Sequence, residues 1–276
     1  MEDAISSAGS HLLDTHQDAD HHRSVFTFAG SPDQLLASLL DLAAVAFERI
    51  DLRTHQGVHP RIGALDVVPF VPLTGATTTE CVEVAQETGR RLAETFDLPV
   101  FLYADAATVP ERRNLADLRR GGLTGLADRM RRSCWHPDFG PSRLHPSAGA
   151  VAVGARPPLV AFNVVLDAED LSVARSIAAE VRAANGGPPG VKALGLRLES
   201  RGQVQVSMNL CDIERTSILQ VFEAVADAAV RRGVLVAESE IVGLAPRHAL
   251  RGATECSLRF AGRLTDHTLE NRLGLP

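Results

Sequence analysis

The feature that most constrains the fold lies from Pro158 onward, where apolar periodicity alternates between strand and helix in a regular order. A hairpin signal at 199–202 separates the two middle strands. The predicted strands cover 159–166, 191–198, 204–210 and 234–240, and the predicted helices cover 168–184 and about 216–232. The resulting order, β-α-β-β-α-β, predicts a ferredoxin-like split unit in this half of the chain.

The first half predicts a similar unit that lacks its opening strand. Helical spacing covers 32–50 and about 78–96, and strand-like runs lie at 12–13, 24–28, 64–71 and 100–103. Because the first strand is central in a ferredoxin-like sheet, its loss predicts exposed edges that another chain can cover. We therefore expect an α+β protein of two ferredoxin-like subdomains, 1–157 and 158–276, with the first truncated.

The composition limits the cellular compartments and the classes of ligand that are expected for this chain. None of the apolar runs approaches the roughly 20 residues that span a bilayer. The four cysteines are far apart, which argues against both a disulfide framework and a thiolate zinc site. A net charge of −6 with few aromatic residues argues against nucleic acid. We expect a cytoplasmic protein with small-molecule substrates and neither nucleic-acid nor membrane partners.

The segment 54–66 concentrates polar residues immediately before an apolar run. Gly57, Pro60 and Gly63 break any helix there, so His55 and His59 are not expected to share a helical face. That spacing therefore gives little support to a zinc site. A loop histidine is nevertheless suited to moving protons near neutral pH.

The same segment reads His-x-Gly-x-His-Pro-Arg-x-Gly-Ala-x-Asp from His55 to Asp66. It resembles the active-site loop of the glutamate formimidoyltransferase family, the transferase half of formiminotransferase-cyclodeaminase. Segments at 137–142, 149–156, 204–210 and 239–246 resemble further motifs of the family in the same order. The resemblance covers roughly residues 12–250.

The resemblance implies transfer of a formimino group from N-formimino-L-glutamate to N5 of tetrahydrofolate, which acts as co-substrate. His59 matches the catalytic histidine and would serve as general base and then general acid. Asp66 would orient an imidazole or merely open a strand, and His55 is more consistent with an orienting or structural role. Arg61 would bind a glutamate carboxylate through a bidentate fork or pair with a structural acid.

The resemblance also implies a folate-binding segment whose glycines and prolines bring backbone amides close to a flat pterin. The alternative is an ordinary connecting loop. The residues of this segment are Gly140, Pro141, Ser142, Arg143, Leu144, His145, Pro146, Ser147, Ala148 and Gly149.

Two carboxylates and two histidines occur within residues 18–22. They could bind a metal, or they could lie in solvent on a polar loop. The family commonly has Asp-His-Asn-Arg here, and His22 replaces the asparagine. The favoured interpretation is substrate contact by Asp20, His21 and Arg23, so no metal is predicted.

Two alternatives to the transferase remain open, and a homodimer is expected in any case. Residues 120–125 lack two acids and an aromatic residue that the family carries. This loss, with the truncated first subdomain, favours a catalytically degraded folate-binding or regulatory protein. A metal-dependent hydrolase of a formimino compound is the third hypothesis.

Overall fold

The computed structural model describes residues 1–275, which divide into two compact units. The first unit comprises residues 1–12 and 28–157, and the second comprises 13–27 and the chain from 158 onward. Throughout the described chain, no helix combines the length and the apolar character needed to cross a membrane.

The first half of the chain forms two sheets. Its elements are α1 (Glu2–Ser7), β1 (His11–Asp18), β2 (Arg23–Ala29), α2 (Pro32–Arg49), β3 (Val67–Phe70), α3 (Thr78–Phe96), β4 (Val100–Ala104), α4 (Leu115–Arg119), α5 (Gly122–Arg129) and β5 (Val151–Ala155). β1 and β2 pair in a two-stranded sheet. A three-stranded sheet has the order β3-β5-β4, and both outer strands run parallel to β5.

Two capping boxes fix where the long helices of the first unit begin. Ser31 and Gln34 exchange side-chain and backbone hydrogen bonds at the start of α2, and Thr77 and Glu80 do so at α3. The apolar stripe of each helix then packs with the sheet in one core. The predicted helices are confirmed. The central strand β5 was not predicted as a strand.

The second half has the predicted order of elements, which are β6 (Val160–Leu166), α6 (Leu171–Val181), β7 (Val191–Leu198), β8 (Gln203–Leu210), α7 (Ile218–Val230), β9 (Val236–Val242), α8 (Glu255–Leu258) and α9 (Leu269–Leu273). The sheet order is β7-β8-β6-β9, with antiparallel neighbours. This is the ferredoxin-like arrangement, and the prediction for this half is confirmed.

Alternation along the strands gives this sheet one apolar and one polar face. Val160, Phe162 and Val164 are buried in the core with α6 and α7. The residues between them point the other way, and in register Asn163 lies opposite Ser207 on one side and Glu240 on the other. Residues of β6, β8 and β9 that share this orientation are called the polar face below.

Candidate functional site

Residues 54–66, the His59 loop, lie in the first unit without helix or strand and are held together by Arg61. One terminal nitrogen of Arg61 donates to the carbonyls of Gly57 at 3.2 Å and His59 at 3.3 Å. The other donates to the carbonyl of His55 at 2.9 Å. Burial lowers the pKa of Arg61, and the negative charge of Asp66 partly opposes this effect. The guanidinium therefore holds the loop backbone that carries the half-buried His59 side chain.

Asp66 ends this loop and uses both carboxylate oxygens to hold it. Oδ1 accepts from the backbone N–H of Ile62 at 2.7 Å, and Oδ2 pairs with a terminal nitrogen of Arg119 at the end of α4. Both side chains of the pair are largely buried. The contacts of Asp66 are therefore those of a residue that fixes the backbone of the loop.

Backbone hydrogen bonds join the His59 loop to the end of the 140–149 segment. The N–H of Ala64 donates to Ala148 O at 2.9 Å, and the N–H of Ala150 donates to Ile62 O at 2.8 Å. A Cβ on Gly63 would overlap the carbonyl oxygen of Ala150, so only glycine fits here without a backbone shift. The loop and the segment predicted to bind folate are thus direct neighbours within one unit.

His145 organises the last turn of that segment. Its Nδ1 accepts from the backbone N–H of Ala148 at 3.0 Å, which places the proton of the neutral ring on Nε2. The ring stacks on Phe47 with centroids 6.5 Å apart. His145 and Gly149 also exchange two backbone hydrogen bonds, and Gly149 has a φ of +73° that favours glycine.

The other end of the segment is fixed by a buried ion pair between Asp138 and Arg112. Arg112 donates to Oδ2 of Asp138 at 2.5 Å and to the carbonyl of His136 at 2.5 Å. The same Oδ2 accepts from the backbone N–H of Leu102 on β4 at 2.7 Å. These bonds tie the turn before Gly140 to the sheet.

A cleft of about 280 Å³ lies beside the 140–149 segment. It is lined by Ala127, Met130, Arg131, Ser142, Arg143 and Leu144. Arg143 forms an exposed ion pair with Asp97 at 2.7 Å. Three residues predicted to bind folate therefore line one concave surface.

A buried phenol lies among the charged groups at this sheet. Burial raises the pKa of Tyr103 on β4, while the positive charge and a hydrogen bond of Arg156 act in the opposite direction. The charges of Arg119 and Asp66 also reach this group. Tyr103 is therefore the neutral member of a polar cluster that includes the Asp66–Arg119 pair.

In the second unit, residues 18–23 are arranged around Asp18. His21 is buried and donates its backbone N–H to Oδ1 of Asp18 at 2.8 Å, while its Nδ1 lies 2.5 Å from Oδ2. Burial raises the pKa of Asp18, but the bonds from His21 outweigh it and leave the pKa below its ordinary value. Asp20 accepts from the backbone N–H of Ser200 at 2.9 Å and its hydroxyl at 2.6 Å, and half-buried Arg23 begins β2.

Glu240 is the acidic centre of the polar face. Its Oε1 accepts from the side-chain amides of Asn163 at 2.8 Å and Gln205 at 3.2 Å. Both amides are buried. A carboxylate that accepts two buried amide donors is fixed in one orientation.

The residues that sequence reasoning missed are the arginines that hold this framework. Arg112 and Arg119 lie in a stretch whose many arginines were visible, but their carboxylate partners are 26 and 53 residues away. The sequence feature that could have pointed to them is the high density of arginines in a polar segment. That density does not indicate with which acidic residues the arginines form ion pairs.

Fold and site together define a two-subdomain α+β enzyme with a half-buried loop histidine in its first subdomain. The model for the N-terminal subdomain of the formiminotransferase domain matches residues 1–156, and the model for the formiminotransferase domain matches residues 161–269. The chain belongs to the formiminotransferase family.

Curated relatives agree with this assignment. The chain is 44% identical over 256 residues to a glutamate formimidoyltransferase of Streptococcus pyogenes serotype M1, covering 93% of this chain and 86% of the relative. It is 39% identical over 276 residues to one of Thermoplasma acidophilum, covering 99% and 91%. The formimidoyltransferase-cyclodeaminase of Sus scrofa is 40% identical over 290 residues, which cover 99% of this chain and 53% of that protein.

Proposed function

We propose that this chain transfers the formimino group of N-formimino-L-glutamate to N5 of tetrahydrofolate, giving 5-formimidoyltetrahydrofolate and glutamate. N5 attacks the amidine carbon, and the tetrahedral adduct loses the N5 proton. The bond from that carbon to the glutamate nitrogen then breaks, and the nitrogen leaves as an amine after it has gained a proton. One proton leaves N5 and one reaches the leaving nitrogen, so a single carrier serves both steps.

His59 is the proposed carrier. An imidazole can accept the N5 proton and return it to the departing amine near neutral pH. The observation that carries this proposal is the way the loop is held, since Arg61 binds three loop carbonyls and Asp66 closes the loop on Ile62 and Arg119. A backbone fixed in this way keeps a proton carrier in position.

Substrate and folate contacts are proposed for residues of the 140–149 segment, of the His59 loop and of the stretch 20–23. The 140–149 segment offers the tetrahydrofolate ring a concave surface and a rigid turn at His145. Arg61, Asp20, His21 and Arg23 are proposed to meet the polar groups of the substrates, and His55 and Asp66 to orient the loop. The hydrogen bonds that Asp20 accepts from Ser200 keep that carboxylate in one place.

The test is tetrahydrofolate-dependent release of glutamate from formiminoglutamate. Wild type and His59→Ala are compared with His136→Ala, which removes an exposed histidine of the same unit. We expect His59→Ala to lower kcat by about 10²- to 10⁴-fold, the range for loss of a general acid–base group, while folate affinity is retained. His136→Ala is expected to match wild type. A fully active His59→Ala would remove His59 from the mechanism.

A wild type that folds and binds folate but releases no glutamate would contradict the transferase and leave a folate-binding protein. That interpretation draws on residues 120–125, where α5 begins at Gly122, and both Gly121 and Gly122 have positive φ.

A homodimer and a cytoplasmic location complete the proposal. β7 is an edge strand of eight residues, and Leu194 on it is exposed. An exposed edge with an apolar side chain is a surface that a second copy can cover. Light scattering on the purified chain measures the mass, and a monomer at micromolar concentration would rule the dimer out.

A further inference from the structure

Three side chains of metal-ligating type converge in the second unit and have no role in the transfer chemistry above. They are His16, Asp18 and Glu240, all half-buried, and one ligand atom of each lies within 4.8 Å of the other two. The group combines an imidazole nitrogen with two carboxylate oxygens. Imidazole suits zinc and its neighbours in the first transition series, and carboxylates complete many such sites.

Strand geometry explains why these three residues meet. His16 and Asp18 are two residues apart on β1, so their side chains point to the same side of the strand. Glu240 projects from the polar face, opposite Asn163 in register. Sequence alone could not place them together because Glu240 lies on β9, near the other end of the chain.

Two of the three ligands are already oriented by hydrogen bonds of the kind that surround metal centres. His21 donates its backbone N–H to Asp18 and places its ring nitrogen 2.5 Å from the same carboxylate. Asn163 and Gln205 donate amides to Oε1 of Glu240. An ionised carboxylate offers about four lone-pair sites, so both groups keep the capacity to bind an ion. Such outer contacts fix ligand orientation and tune affinity.

A separate observation points to a ligand here. Gln205 is 1% exposed, and its carbonyl Oε1 has no hydrogen-bond donor in the described part of the chain, although its Nε2 binds Glu240. A buried carbonyl without a donor costs free energy, so such groups usually meet a donor that the polypeptide does not supply. Gln205 also hydrogen-bonds Glu240 through Nε2, so this amide lies beside the cluster. A water molecule on a bound cation would donate to this oxygen.

We propose that His16, Asp18 and Glu240 bind a divalent transition metal ion, for which Zn²⁺ is the probe. Zinc sits about 2.0–2.2 Å from nitrogen and oxygen ligands, so two ligand atoms of a tetrahedral site are about 3.3–3.6 Å apart. The three atoms lie within 4.8 Å of one another, and side-chain rotations that move each of them by about 1 Å close this gap. The fourth position is left for water, which donates to Gln205 Oε1.

The experiment uses the full chain after chelator treatment and dialysis. Zn²⁺ binding is followed by calorimetry, and Co²⁺ replaces Zn²⁺ so that its visible spectrum gives the coordination number. We expect one ion per chain and a four-coordinate Co²⁺ spectrum. His16→Ala and Glu240→Gln should each weaken binding by 100-fold or more, and Gln205→Leu by about 10-fold through loss of the outer contact.

His11→Ala is the matched control, because His11 is an exposed histidine of the same strand. It should bind Zn²⁺ as wild type does. Circular dichroism and the Tm of the metal-free variants exclude unfolding as the cause of any loss. Wild type without a stoichiometric site would overturn the proposal, and so would binding that His16→Ala and Glu240→Gln leave unchanged. Because the assay contains no substrate, its result is independent of the proposed transfer activity.

Discussion

The His59 loop and the polar face both hold polar groups in fixed positions, but the interactions that do so differ. In the loop, the backbone itself is bound by Arg61, Asp66 and the neighbouring residue 150. On the polar face, regular strands set the spacing and Asn163 and Gln205 hold Glu240. The loop therefore depends on individual contacts, whereas the sheet depends on a repeated pattern. Single substitutions should consequently do more damage in the loop.

The largest stability effect is expected for Gly63→Ala. The new Cβ would overlap the carbonyl oxygen of Ala150, so the loop must move away from β5. We expect the free energy of unfolding to fall by about 3 kcal/mol and transfer activity to be lost with it.

Urea denaturation measures this effect beside Gly75→Ala, where the Cβ enters open space and only the φ of +92° adds strain. That control should lose about 1 kcal/mol. Equal stability of the two variants would mean that the loop is not held by close backbone approach.

The next effect concerns the Asp66–Arg119 pair. Asp66→Asn keeps an oxygen for the N–H of Ile62 but leaves the largely buried guanidinium of Arg119 without its carboxylate. We expect a loss of about 2 kcal/mol in the free energy of unfolding and a lower kcat/KM. Asp97→Asn, which breaks the exposed pair with Arg143, should change the free energy by less than about 0.5 kcal/mol.

A double variant separates the pair from its surroundings. Asp66→Asn combined with Arg119→Leu should lose less than the sum of the two single losses, since neither charge is then left alone. Additive losses would mean that the two residues act independently.

On the polar face, Asn163→Ala should cost about 1 to 2 kcal/mol, because a buried amide that donates to Glu240 is removed from an otherwise intact sheet. Asn271→Ala is the control, since Asn271 donates a similar bond to Thr265 O at an exposed position. Hydrogen exchange should accelerate in β6 and β8 and remain unchanged in β3 and β5. Faster exchange in both units would contradict a local effect.

The smallest effect is expected at high pH, where ionisation of Tyr103 lowers the stability of the fold. Burial raises its pKa above the ordinary 10.0. The stability contributed by the neutral phenol is therefore fully present below about pH 10 and is lost as the pH rises through the folded pKa. Tyr103→Phe should remove this loss. Tyr103 is the single tyrosine of the chain, so tyrosinate absorbance reports this group alone. Titration at the ordinary pKa would show that the ring is solvated.

How far the sequence predicted the fold depends on whether the signal was local. The helix at Thr78–Phe96 begins and ends as predicted, and the strand at Val191–Leu198 does too, because the periodicity that marks each of them lies within the segment itself. β5 was missed because Val151–Ala155 is short and includes Gly154, which weakens a strand signal. Gly154 is explained only by the backbone and ring of Tyr103, which occupy the space of its Cβ.

In the candidate site, too, local features could be predicted from the sequence and long-range contacts could not. The loop motif and the alternation of β6, β8 and β9 were legible in the sequence. The partners of Asp66, Asp138 and Asp20 were not, since each pairs with a residue far along the chain. The sequence shows which polar groups are present, but only the folded structure shows which of them already form hydrogen bonds or ion pairs.

The second unit is discontinuous, and this sets an order of events during synthesis. Residues 13–27 belong to it, and Asp20 bonds to Ser200, which is 180 residues later in the chain. At about 5–20 residues per second, the ribosome needs roughly 10–40 s to supply that partner. During this interval β1 and β2 can pair with each other, but Asp20 lacks the turn at Ser200 that it binds. The nascent chain therefore carries a hairpin whose later partner is not yet made, and this is the stretch where a chaperone would be expected to act first.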